Sequence, residues 1–146
     1  MNDSELAREL FLKVLSTRMA FRQTIQRVLK RNKVEMTFEM LQVMHRLWLK
    51  EGVSQQFLAE QTAKDKACMT NLINNLEKKD WVMRKEDPSD KRNRLVFLTD
   101  NGRELSLQVR PLLNEVYAQI TNKMTEKKVQ ACINHLLKLT KILDEI

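Results

Sequence analysis

The sequence predicts a mainly helical fold carrying one small β-hairpin, and three observations lead there. Only two glycines and two prolines punctuate 146 residues, so long helices are expected and a sandwich of many short, turn-linked strands is disfavoured. Apolar residues recur at three and four residue spacing over most of the chain, the period of an α-helix. Between Trp81 and Leu98 that period gives way to two extended runs around a polar centre, which reads as a hairpin.

The elements follow in order. Leu6, Leu10, Val14, Phe21, Ile25 and Val28 form one face of a long helix over about residues 3–30. Its basic tail, Arg18, Arg22, Arg27, Lys30, Arg31 and Lys33, suits the negative end of a helix dipole, with phosphate contact as the second reading. Thr37 is placed to cap a second helix with Glu39 in its first turn and Leu41, Met44, Leu47 and Trp48 inside; Gly52 ends it. Ser54 caps a short helix to about residue 62 with Phe57, Leu58 and Gln61 inward, a turn occupies residues 63–65, and a helix over about residues 66–79 buries Met69, Leu72, Ile73 and Leu76. Two short helices across a tight turn are a helix-turn-helix candidate. Residues 81–84 and 94–98 read as strands joined by a long polar loop. Thr99 or Asp100 caps the next helix, faced by Leu105, Val109, Leu112, Leu113, Val116 and Ile120, with a kink expected at Pro111. Thr125 caps the last, whose stripe of Val129, Cys132, Ile133, Leu136, Leu137, Thr140 and Leu143 is wide enough for two neighbours.

Composition narrows the function. Lysine and arginine exceed the acids to give a net charge of +7 and a pI of about 9.6, a balance that favours polyanionic partners. No run approaches the ~18 apolar residues of a membrane span, and the N-terminal residues lack a secretory pattern, so a cytoplasmic protein with no membrane partner is expected. Cys68 and Cys132 are far apart without a Cys-x-x-Cys pair and are read as packing residues in a reducing compartment. His45 and His135 lack metal-site spacing, and two glycines leave no phosphate-cradling loop, so neither metal, cofactor nor catalytic residue is assigned.

The polar residues of the helix-turn-helix supply a chemistry for nucleic acid. Thr70, Asn71, Asn74 and Lys78 face away from the buried stripe, and asparagine is suited to adenine in the major groove. Lys91, Arg92 and Arg94 make the hairpin a cationic finger thin enough for a minor groove. Lys64, Lys66, Lys78 and Arg84 are candidate phosphate contacts, and Ser54 and Gln55 are placed to donate to phosphate from a helix N-terminus.

The residues 87–92, Asp-Pro-Ser-Asp-Lys-Arg, followed by Leu98-Thr99-Asp100-Asn101-Gly102, resemble the wing and helix start of the MarR family of bacterial transcriptional regulators. Residues 72–84 resemble its recognition helix and following strand, with Asp80 where the family usually has glycine; aspartate tolerates the left-handed conformation better than most residues. The resemblance implies a winged helix-turn-helix at residues 36–100 in a single domain of 1–146, with residues 1–35 and 101–146 as dimerisation helices that pack together. It also implies an ion pair in which Asp90 holds Arg92, a homodimer on a pseudo-palindromic operator in double-stranded DNA, and repression relieved by a small aromatic or anionic ligand. Phe11, Phe21, Trp48 and Tyr117 are candidates to line that ligand's site. The family's peroxide-sensing branch keeps its reactive cysteine in the first helix, where this chain has none. Two other readings fit a basic helical domain: a ligand-independent architectural DNA binder and a helical protein-interaction module.

Overall fold

A computed structural model describes residues 1–146, with the order α1 (Asp3–Arg31), α2 (Phe38–Leu49), β1 (Val53–Ser54), α3 (Gln55–Gln61), α4 (Lys66–Lys78), β2 (Val82–Asp87), β3 (Asp90–Leu98), α5 (Asp100–Met124) and α6 (Glu126–Asp144). Local chemistry starts the helices. Asn2 and Glu5 form a reciprocal capping box on α1, Thr37 caps α2, Ser54 caps α3 and Thr125 caps α6, each oxygen satisfying an otherwise orphaned N–H. None of these helices is long and apolar enough to cross a membrane.

The chain divides into two units, residues 1–109 and 110–146. The first has its core where the helix stripes meet the sheet: Ile25 and Leu29 of α1, Val43, Met44 and Leu47 of α2, Leu58 of α3, Met69, Ile73 and Leu76 of α4, and Val96 of β3 are all closed to solvent. Each large side chain so buried contributes on the order of 1.5–3 kcal/mol. No polar or charged residue is buried among them. An ion pair braces α1 against α2, with Arg22 Nη2 2.8 Å from Glu39 Oε1. Burial alone would raise the Glu39 carboxyl, but its main-chain hydrogen bond and the hydrogen bond and charge of Arg22 outweigh that and hold it below the ordinary value. In the second unit α6 has no buried residue, and Pro111 lies inside the continuous helix over 100–124.

The sheet is antiparallel in the order β1-β3-β2. Val53 pairs with Val96 and Ser54 with Leu95, a third strand that the sequence reading missed because two residues carry no periodicity. The ladder of β2 and β3 runs from Val82↔Leu98 to Glu86↔Arg94, then shifts register to Asp87↔Asp90. Residues 85–87 and 90–93, expected as loop, are therefore strand. A ribbon exposed on both faces needs no apolar alternation to hold its hydrogen bonds, so its polar stretch carried no strand signal.

A tight junction joins the sheet to α5. Thr99 Oγ1 accepts from the Gly102 N–H at 3.0 Å and donates to the Asp80 carbonyl at 2.5 Å. Asn101 Nδ2 donates to Asp80 Oδ2 at 2.6 Å, and Trp48 Nε1 donates to the Gly102 carbonyl at 2.9 Å. A Cβ on Gly102 would lie 2.0 Å from the Trp81 carbonyl oxygen, so only glycine fits. Asp80 has φ 59°, the left-handed conformation its identity suggested.

Four expectations about burial are corrected. Cys68 and Cys132 are exposed rather than packed: Cys68 lies on the flank of α4 away from its buried line, and Cys132 belongs to the wholly unburied α6. Phe57 and Gln61 are exposed, the inner side of α3 being made by Leu58 and Ala59.

Candidate nucleic-acid interface

The interface is built on α3, α4 and the β2–β3 ribbon. Ser54 Oγ, half-buried, accepts from the Phe57 N–H at 3.0 Å, so its lone pairs serve α3 first. Ala63, at φ 53°, turns the chain between the helices, and Asp65 Oδ1 accepts from the Cys68 N–H at 2.7 Å to start α4. Gln55 Nε2 donates to Thr70 Oγ1 at 3.1 Å, and Thr70 Oγ1 donates to the Lys66 carbonyl at 2.9 Å. These two side chains tie the helices together, and the Thr70 hydroxyl proton is spent within α4.

The helix period then places Met69, Ile73 and Leu76 in the core and Ala67, Asn71 and Lys78 on the opposite, exposed line. Asn74 lies beside that line and is half-buried. Ala67 was absent from the sequence reading, because a small apolar residue carries no polar signal; its exposure in line with Asn71 is what brings it forward.

Arg84 departs from its expected place at a phosphate. It turns inward from β2, 15 % exposed, with Nη1 2.8 Å from Glu77 Oε1 and Nη2 donating to Asn74 Oδ1 at 2.7 Å. It is a strut between ribbon and helix. The wing has a second correction. Asp90 Oδ1 accepts from the Arg92 main-chain N–H at 3.0 Å, so the aspartate holds the backbone of Arg92 and not its guanidinium. The turn itself is braced by Asp87 Oδ1, which accepts from Ser89 N–H at 3.0 Å and Ser89 Oγ at 2.7 Å. These bonds lower the Asp87 carboxyl below its usual range. Lys85 Nζ lies 4.9 Å from the centre of the Phe97 ring.

Lys91, Arg92 and Arg94 are exposed on β3, and two of them close a cleft. Gln55, Lys64 and Lys66 on the helical side face Arg92 and Arg94 on the ribbon around a space of about 540 Å³, in which Glu60 is the one acid. Four cations about one open cleft, beside a helix N-terminus and an exposed polar helix face, make a surface matched to a phosphate backbone. Lys78 stands apart from the cleft, exposed at the end of α4.

The four candidate ligand aromatics are differently placed. Phe11 is partly exposed on α1, Phe21 packs edge-on against Phe38 at 5.7 Å, and half-buried Trp48 is held by Gly102, three separate settings within residues 1–109. Tyr117 is half-exposed on the α5 segment of the second unit, and burial raises its hydroxyl above the ordinary value.

Comparison with known proteins adds to this geometry. Residues 37–93 match the model of the MarR family. The chain is 26% identical over 97 residues to the transcriptional regulator HosA of Escherichia coli O111:H-, covering 66% of this chain and 72% of HosA. It superposes on the transcriptional regulator PA4135 with a TM-score of 0.80 at 25% identity, covering 91% of this chain and 96% of that one. It superposes on reduced AbfR bound to DNA with a TM-score of 0.81 at 23% identity, covering 96% and 95%. The helical fold with its three-stranded antiparallel sheet is that of winged-helix regulators. Sequence, fold and the cationic helix-and-ribbon surface agree: over residues 37–93 the chain is similar to the MarR family, and its fold is the winged-helix fold of DNA-binding transcriptional regulators.

Proposed function

We propose that the chain acts in the cytoplasm as a homodimer on a pseudo-palindromic operator, each α4 entering one of two successive major grooves and each β2–β3 wing a flanking minor groove. The observation that carries this reading is the cleft in which Lys64 and Lys66 face Arg92 and Arg94. Asn71 and Asn74 read bases, Lys64, Lys66 and Lys78 neutralise phosphates, and Ser54 and Gln55 lie at the N-terminus of α3 where a phosphate is favoured. Dimerisation is supported by the unburied apolar residues of α1, such as Leu6, Leu10 and Leu15, and of α6, such as Ile133, Leu136 and Leu137. Binding across a promoter represses it, and a small aromatic or anionic effector, implied by the family resemblance, releases the dimer.

The test begins by selecting bound fragments from randomised duplexes and titrating the best one against bulk DNA at several salt concentrations. Specific binding about 10³-fold or more tighter than non-specific binding is expected. A small ratio would identify an architectural binder, and no DNA binding would identify a protein-interaction module. Arg92→Ala is expected to weaken operator binding at least tenfold and to reduce the slope of log K against log salt by about 1 to 2 for a dimer with two wings. A reporter silenced by the operator in the presence of the protein completes the case for repression.

A further inference from the structure

Asn74 stands beside the exposed line of α4, yet its amide is not free. Arg84 Nη2 donates to Asn74 Oδ1 at 2.7 Å. A guanidinium has donors only, so chemistry fixes the amide: its oxygen turns to Arg84, and its NH₂ group is the end left for the groove. Arg84 has little freedom to release it. Its Nη1 is 2.8 Å from Glu77 Oε1, its Nη2 also reaches the Thr70 carbonyl at 3.4 Å, and its Nε is buried without a partner. Swinging the side chain out would break the ion pair and both of these hydrogen bonds.

An unrestrained asparagine reads adenine with both ends of the amide, the oxygen accepting from N6 and the nitrogen donating to N7. Here the oxygen is engaged by a short charge-assisted bond, and a fixed positive charge lies beside it. An approaching N6 amino group meets that charge; an electronegative edge is attracted by it. We propose that Arg84 is a positioning residue that makes Asn74 a donor-only reader, so that Asn74 selects guanine, whose O6 and N7 both accept, and rejects adenine. Thymine presents O4 alone and cytosine presents a donor. The inference rests on α4 being the base-reading helix, and it gives Arg84 a part in specificity without contact to DNA.

The test is selection from randomised duplexes by the full-length protein and three variants. The unaltered chain is expected to select guanine at one pair of each half-site, and Asn74→Ala to relax that pair tenfold or more while the others keep their preference. Asn74→Asp keeps an oxygen on Arg84 but replaces the donor by an acceptor, and is expected to turn the same pair to cytosine. Arg84→Met frees the amide and is expected to let adenine compete with guanine. Adenine at this pair in the unaltered chain, or an unchanged pair in Asn74→Asp, overturns the proposal while leaving α4 as the reader. If Asn74→Ala alters no pair, Asn74 reads no base and the proposal falls with that part of the α4 reading. Should Arg84→Met prove unfolded by thermal melting, Asn74→Asp decides alone, since it preserves the strut.

Discussion

Gly102 shows how much one absent methyl group decides. Its amide is held by Thr99, its carbonyl by Trp48, and the Trp81 carbonyl occupies the place a Cβ would take. Gly102→Ala is expected to cost about 2–4 kcal/mol in urea unfolding, because main chain and not a flexible side chain must move. A loss under about 0.5 kcal/mol would show that the junction yields freely. Asp90 carries the second prediction at this scale. It fixes the backbone at Arg92 through a 3.0 Å hydrogen bond, so Asp90→Ala is expected to weaken operator binding even though it removes a negative charge from a basic surface. Net charge alone predicts the opposite sign, and tighter binding by this variant would mean that the wing is a diffuse cation. The left-handed Asp80 was legible from its identity and position. The partner of Asp90 was not, because the same carboxylate reaches a neighbouring main-chain N–H as readily as a guanidinium.

The helices were legible as elements because their caps and stripes are local. Thr37, Ser54 and Thr125 each begin the helix that their chemistry announces. The hairpin was legible only in its apolar half, since the polar residues of the wing show no apolar alternation. How α1 meets α2 yields a pH prediction. The Glu39 carboxyl is held below 4.5 when folded, so the ionised form binds the folded state preferentially. Its contribution is present above about pH 4.5 and is lost as the pH falls through the lowered folded value. Thermal melting from pH 6 down to pH 3 is expected to fall less steeply in Glu39→Gln than in the unaltered chain. Parallel curves would remove Glu39 from the acid response. The effect is modest, because about a third of each partner side chain faces solvent.

At the scale of the whole molecule, the unburied apolar side chains decide the expected behaviour. Leu136 is 50% and Leu137 65% exposed on α6, and such surface in quantity marks an interaction site. Sedimentation is expected to give a dimer at micromolar concentration, and the double replacement Leu136→Asp with Leu137→Asp a monomer or an unfolded chain, since paired charges cannot be desolvated there. A monomeric unaltered protein would refute this. The electrostatic surface belongs to the same scale: Lys64 and Lys66 meet Arg92 and Arg94 across the cleft, although some thirty residues of helix and strand intervene.

The sequence alone determined the helical class, the order of the six helices, the caps of α2, α3 and α6, the buried stripes of α2 and α4 and the basic character of the ribbon. All of these arise from interactions within a few residues, where period and side-chain chemistry act directly. Tertiary structure decided the rest. It paired β1 with β3, placed Trp48 on Gly102 across 54 positions, left both cysteines exposed and took Arg84 from solvent to lock Asn74. The physical reason is that a side chain's partner across the fold depends on which backbones meet. A cation on a strand therefore announces its charge in the sequence, but not whether it will face phosphate or a neighbouring helix.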